Sequence, residues 1–238
     1  MDVLRYDRQI INIGVEGQRK INSARLVIVG LGGLGSNVAM QMAAAGVGFL
    51  RLIDPDKVDV SNINRQPLYN ESDVGKLKVD AASQNLKKIN SKLELETFPI
   101  KLDENNAESL IRGVDLILDG LDSLHARMIL NKYAVKLNIP YIFASVQDAF
   151  GSVTTIIPHR TACLSCFMKD SDSIPPCAVG VYPPAVFAIS SIVASEALAI
   201  IIQRKPTSAG RLLVFDLETM SFDSVYLKKN PTCKVCGV

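Results

Sequence analysis

Histidine is scarce in this 238-residue chain. His125 and His159 are the only two, they stand isolated, and no Ser/His/Asp constellation is visible, so imidazole-based catalysis has no support. Blocks of like charge are absent as well. Twenty-six basic and 24 acidic residues give a formal charge of +2, which points to neither nucleic acid nor a membrane surface as partner. There is no internal repeat and no low-complexity segment. Residues 1–20 are polar and charged, so no secretory signal is expected. The one long apolar stretch, 184–203, carries Ser190, Ser191, Ser195 and Glu196 near its middle. Those groups are costly in lipid, so the stretch reads as a buried or interface helix. The expectation is a soluble, cytoplasmic protein.

A glycine-rich turn, Gly30-Leu31-Gly32-Gly33-Leu34-Gly35, follows the apolar run 25–29 and opens a helical pattern over 36–45. Strand, tight turn and helix amino terminus together form a site for an anion, because glycine backbone approaches closely and the helix end turns free N–H groups towards it. A second apolar run, 49–53, ends in Asp54, where a ribose hydroxyl is usually held. The pattern specifies a nucleotide without saying which.

Further along, β-type runs alternate with helical patterns: strands over 26–30, 49–54, 95–100, 114–119 and 140–146, with helices over 36–46, 75–90, 104–112 and 123–137. That alternation predicts an α/β fold, a Rossmann-like, mostly parallel sheet with helices on both faces. After Gly151 the strand-like runs 153–157, 212–215 and 222–227 predict an antiparallel extension, interrupted by the helix 184–203. The expected organisation is one domain: a helical arm over 1–24, a nucleotide-binding half over 25–150, and a second half over 151–238. The polar, proline-closed stretch 169–176 reads as a mobile loop.

Four of the five cysteines form two C-x-x-C pairs, Cys163/Cys166 and Cys233/Cys236, the tetrathiolate set that structural zinc prefers. Disulfides or redox motifs are the competing readings. With 66 residues between the pairs, the metal would staple the tail to the body rather than form a compact finger. Cys177 is left over, either a buried inert thiol or a reactive one. Arg65 and Lys78 follow strand ends, where open α/β sheets bind ligands, and would converge on phosphates at the Gly loop. Asp119 and Asp122 close another strand, in a position that suits Mg²⁺, with Ser123 as a helix cap.

Taken together, Arg5-Tyr6-Asp7-Arg8-Gln9-Ile10, the Gly loop, Asp54, Ser61-Asn62-Ile63-Asn64-Arg65-Gln66, Lys78, Asp122 and both cysteine pairs resemble, in one order, the ubiquitin-activating-enzyme-like adenylyltransferases. The branch resembled is the bacterial and archaeal one that activates sulfur carriers for molybdopterin and thiamine synthesis. The resemblance covers residues 4–237. It implies ATP, Mg²⁺ and structural Zn²⁺ as cofactors, and a small ubiquitin-like β-grasp protein ending in Gly-Gly as partner. It implies a homodimer in which Arg8 reaches the partner subunit's site. Gly30, Gly32, Gly33, Gly35, Asp54, Asn62, Gln66, Arg65 and Lys78 would bind the nucleotide, with Asp122 at Mg²⁺. Cys177 matches a position that bonds covalently to the carrier in some relatives. Ser123 stands where the family often has Asn. The chain stops soon after Cys236, so sulfur is expected from a separate sulfurtransferase. A catalytically silent scaffold and an NAD-dependent oxidoreductase remain as alternatives.

Overall fold

The computed structural model describes residues 4–168 and 180–237. Its strands form one eight-stranded sheet in the order β3-β2-β1-β4-β5-β6-β7-β8. β1 (Arg25–Val29), β2 (Phe49–Ile53), β3 (Glu94–Phe98), β4 (Leu116–Asp119) and β5 (Tyr141–Gln147) are parallel. β6 (Phe150–Ile156), β7 (Arg211–Asp216) and β8 (Ser221–Tyr226) continue the same sheet antiparallel. The predicted mixed sheet is present.

Strand alternation divides the core in two. Leu26, Ile28, Leu50, Leu52, Leu116 and Leu118 point to one face, against α2 (Gly33–Ala45), α3 (Lys78–Ile89) and α7 (Pro183–Ile201). Val27, Val29, Ile53, Ile117, Tyr141 and Phe143 point to the other, against α4 (Ala107–Ile111) and α5 (Leu124–Lys136). Central parallel strands covered on both faces need near-continuous apolar sequence, as these runs have. The arm is α1 (Asp7–Ser23), kinked where Gly14 takes φ 76°.

The long apolar α7 packs on α2, β5 and β6. Glu196 is buried in it and accepts from the Thr207 and Ser208 N–H groups and from the Thr155 and Ser208 hydroxyls, which removes the cost of its burial. Several boundaries differ from the sequence pattern. α2 starts at Gly33, so the last glycines of the loop are already its first turn. α3 starts at Lys78 rather than 75, because Gly75 turns at φ 85° and Leu77 bridges to Lys57. A one-turn helix, α6 (Leu164–Phe167), is N-capped by Cys163 and contains Cys166.

Strand order reverses between β1 and β4, so the crevice at their carboxyl ends is the topological switch point of the sheet. The Gly loop leaves β1 there and the 120–123 turn leaves β4 beside it.

Candidate active site

The glycines of the loop divide by role. A Cβ on Gly35 would lie 1.8 Å from the Gly30 carbonyl oxygen, and one on Gly120 would lie 2.2 Å from it. Gly30 itself takes φ 89°, with Gly120 O 2.4 Å from its own notional Cβ. These three glycines therefore let the Gly loop and the β4 turn pack backbone to backbone. Gly32 is different: as the N-cap of α2 its nearest neighbour would be Gln66 Nε2 at 3.9 Å, leaving open space at the helix amino terminus. At Gly33 a Cβ would meet Val186 at 3.1 Å and Arg65 Cγ at 3.8 Å. The first N–H groups of α2 have no intrahelical acceptor by construction and are available to an anion.

Asp54, 4% exposed, closes β2 and accepts from Leu31 N–H at 2.6 Å and Asp56 N–H at 2.8 Å. Its carboxylate thus fixes the turn of the Gly loop. Tyr69 donates to Leu31 O from the other side; burial first, then the charges of Asp54 and Asp73, push its phenol far up, so it stays a donor.

The 59–66 segment is wound into a 3-10 turn, Val60–Asn62, capped by Asp59. It presents Asn62 and Arg65 half-buried and Gln66 buried. Arg65 donates to Ser61 O at 2.8 Å and Asn64 Oδ1 at 3.0 Å, both on its own loop. Asn37, in the first turns of α2, donates to Gly33 O and to Arg65 O, tying this loop to the Gly helix. Gln66 Oε1 is the one buried side-chain oxygen or nitrogen without a hydrogen-bond partner among the described residues. Its Nε2 is the atom nearest Gly32, so the amide turns a donor towards the helix end. Lys78 opens α3 and is 6% exposed, with Nζ 3.0 Å from Asp56 Oδ2.

On β4 the two aspartates part company. Asp119 is buried and accepts from Tyr141 OH and Leu121 N–H while pairing with Arg127 at 3.2 Å. Burial pushes its carboxyl above the ordinary value, and Arg127, Tyr141 and Leu121 N–H act against that. Asp122 is exposed and meets no side-chain partner among the described residues, so it fits a magnesium-binding role and Asp119 does not. Ser123 caps α5 through Ala126 N–H, as expected.

Cys163, Cys166, Cys233 and Cys236 form one cluster whose sulfurs all lie within 4.8 Å of one another. Cys163 and Cys233 are 3.7 Å apart and Cys166 and Cys236 3.4 Å, too far for disulfides. A tetrahedral zinc with bonds of about 2.3 Å has ligand sulfurs about 3.8 Å apart, so the donor set fits that ion. Asn131 on α5 accepts from Leu164 N–H and donates to Ser165, locking the first pair in place. This cluster follows β6, at the opposite edge of the sheet from the Gly loop.

Arg8 lies on the first turn of α1, exposed, and its guanidinium bonds to no site residue among the described residues of its own chain. Cys177 and the loop 169–176 fall outside the described residues. Asn37, Tyr69, Arg127 and Tyr141 brace the candidate site through these bonds, and the sequence does not single them out. Only Asn37, an amide in an apolar helical stretch, left a local signal.

A mostly parallel sheet with a glycine loop and a strand-end carboxylate at its switch point defines a nucleotide-binding α/β protein. The model of the ThiF family matches residues 6–235. A sulfur carrier protein adenylyltransferase of Thermus thermophilus is 35% identical over 245 residues, covering 98% of this chain and 90% of that protein. A molybdopterin-synthase adenylyltransferase of Salmonella typhimurium is 34% identical, covering 99% and 97%. The crystal structure of E. coli MccB with ATP superposes with a TM-score of 0.91 at 25% identity, covering 98% of this chain and 75% of that one. This chain belongs to the ThiF family and is an adenylyltransferase.

Proposed function

We propose that the chain adenylylates the carboxy-terminal Gly-Gly carboxylate of a small ubiquitin-like sulfur carrier at the expense of ATP. What supports this reading is the open Gly32 helix end with Gln66 and Arg65 beside it and Asp54 bonded to the same loop, in a chain whose relatives are named for that reaction.

A terminal carboxylate has a reference pKa of about 3.3–3.7 and is ionised at neutral pH, so no general base is needed. One carboxylate oxygen forms a bond to the α-phosphorus of ATP, the bond to the bridging oxygen breaks, and pyrophosphate leaves with that electron pair. The products are an acyl adenylate and pyrophosphate. The obstacle is the approach of like charges. The α2 amino terminus and Gln66 hold phosphate oxygens, Asp54 orients the ribose, and Arg65 and Lys78 face the charge that develops on the leaving group. Asp122 would hold Mg²⁺, which neutralises phosphate charge when bound. The four cysteines would hold Zn²⁺ as a clamp, with no open position for chemistry.

The carrier docks on the antiparallel half. Gly151 faces Ile189 of α7, so Phe150, Val214 and Val225 face the other way, on a stretch of sheet with exposed apolar side chains. Phe150 pairs with Gln147, so this face begins at the same edge of the sheet as the Gly loop. A flexible glycine tail has only to follow that edge. Arg8 serves the site of a second copy: it is exposed, and Leu4 and Ile11 beside it are exposed at 88% and 78%, as a face that meets another subunit would be. The enzyme works in the cytoplasm.

ATP–pyrophosphate exchange tests the reading. Exchange with an intact carrier that disappears when its last glycine is deleted supports it. ATP binding without exchange, across carriers with intact Gly-Gly ends, would favour a silent scaffold.

A further inference from the structure

We propose that Arg127 is a positioning residue of the phosphate site, acting through the Gly120–Leu121–Asp122 turn rather than by touching the nucleotide. The inference rests on the reading above only in taking Asp122 as a magnesium carboxylate. Arg127 sits in the first turn of α5 with its side chain 11% exposed. Its guanidinium pairs with Asp119, donates to the Leu121 and Ala144 carbonyls, and lies 5.0 Å from the centre of the Phe143 ring. Asp119 in turn accepts Leu121 N–H at 2.8 Å. One ion pair therefore grips Leu121 by both its N–H and its carbonyl.

The consequence reaches across the crevice. Gly120 has no room for a Cβ against Gly30 O, so the turn and the Gly loop abut with no space between them. Holding Leu121 fixes the next residue, Asp122, relative to the helix end that takes the phosphates. Stability alone is a poor explanation for such a buried pair, because desolvation generally offsets its attraction. The three acceptors, on β4, on the turn after it and on β5, lie in different directions. A planar five-donor fork meets them together and a point-charge ammonium does not. Tyr141 supports the pair by donating to Asp119 from beneath.

The test is a double-mutant cycle read by calorimetric ATP binding in Mg²⁺, using the full chain and the variants Arg127→Lys, Asp122→Asn and both together. Each single variant is expected to weaken binding about 10- to 100-fold. Because Arg127 acts through Asp122, the double variant should bind no more weakly than Asp122→Asn alone. The binding stoichiometry of the folded protein should stay at the wild-type value, whereas a purely structural loss would lower stoichiometry and leave affinity unchanged. Multiplying factors in the double variant, or wild-type affinity in Arg127→Lys, would overturn the proposal. If Arg127→Lys does not fold, Tyr141→Phe replaces it in the same cycle, with a smaller loss expected; multiplying factors there would overturn the proposal in the same way. Pyrophosphate exchange run alongside keeps the readings apart: wild-type protein that binds ATP without exchange strikes the adenylylation reading and leaves this cycle intact.

Discussion

Arg65, proposed above as a phosphate ligand, contributes little to the fold. Its guanidinium bonds only to Ser61 and Asn64 of its own loop, so removing it strands no buried group. Arg65→Ala should change stability by no more than about 0.5 kcal/mol, while exchange falls about 100- to 1,000-fold. Thermal unfolding and exchange on the same preparation check this, and wild-type exchange in the variant would remove Arg65 from the phosphate site. The sequence singles out such residues as candidates because they follow strand ends at motif spacings. Asp54 was legible for the same reason, although its bonds to Leu31 and Asp56 N–H were not. Arg127, Tyr141 and Tyr69 left no mark, since each acts on a carbonyl or carboxylate distant in sequence that only the folded sheet brings near. Asp119 and Asp122 looked alike as letters. Burial against Arg127 and Tyr141 is what separates them.

The Gly loop makes a prediction about a whole element. Gly35→Ala places a methyl 1.8 Å from Gly30 O, so backbone must move and stability should drop by about 1–3 kcal/mol. Gly32→Ala has nothing nearer than 3.9 Å and should fold normally, yet its methyl intrudes on the space at the helix end. Denaturant melts should therefore separate the two variants, and ATP titration should show weakened binding in a fully folded Gly32→Ala. Unchanged affinity there would place the phosphates elsewhere. The order and type of the long elements followed from apolar periodicity, and the ends did not. α4 begins at Ala107 rather than 104 because Asp103 accepts the N–H groups of Asn105 and Asn106, a turn that competes with helix.

Over the whole molecule, the two functional ends of the sheet are separate. The cysteine cluster closes the edge opposite the Gly loop and ties residues 233–236 to the turn after β6. Metal analysis should find one zinc per chain. Stripping it with a strong chelator should lower the unfolding temperature by at least about 5 °C, without changing the ATP affinity of the protein that remains folded. A metal-free preparation of undiminished stability would refute the clamp. Pairing of the two C-x-x-C motifs was readable from ligand number, and its place at the far end of the sheet follows from β6 running antiparallel, as the extension expected after Gly151 does. The central claim is attack by a carrier carboxylate at the α-phosphorus, and the most direct measurement compares two labels. Wild-type protein, Mg²⁺ and an intact carrier are mixed with ATP labelled at the α-phosphate or at the γ-phosphate, and label on the carrier is counted after rapid quenching. Label from the α-position alone is the predicted result; label from the γ-position, or none in a preparation that binds both ATP and carrier, would contradict the account.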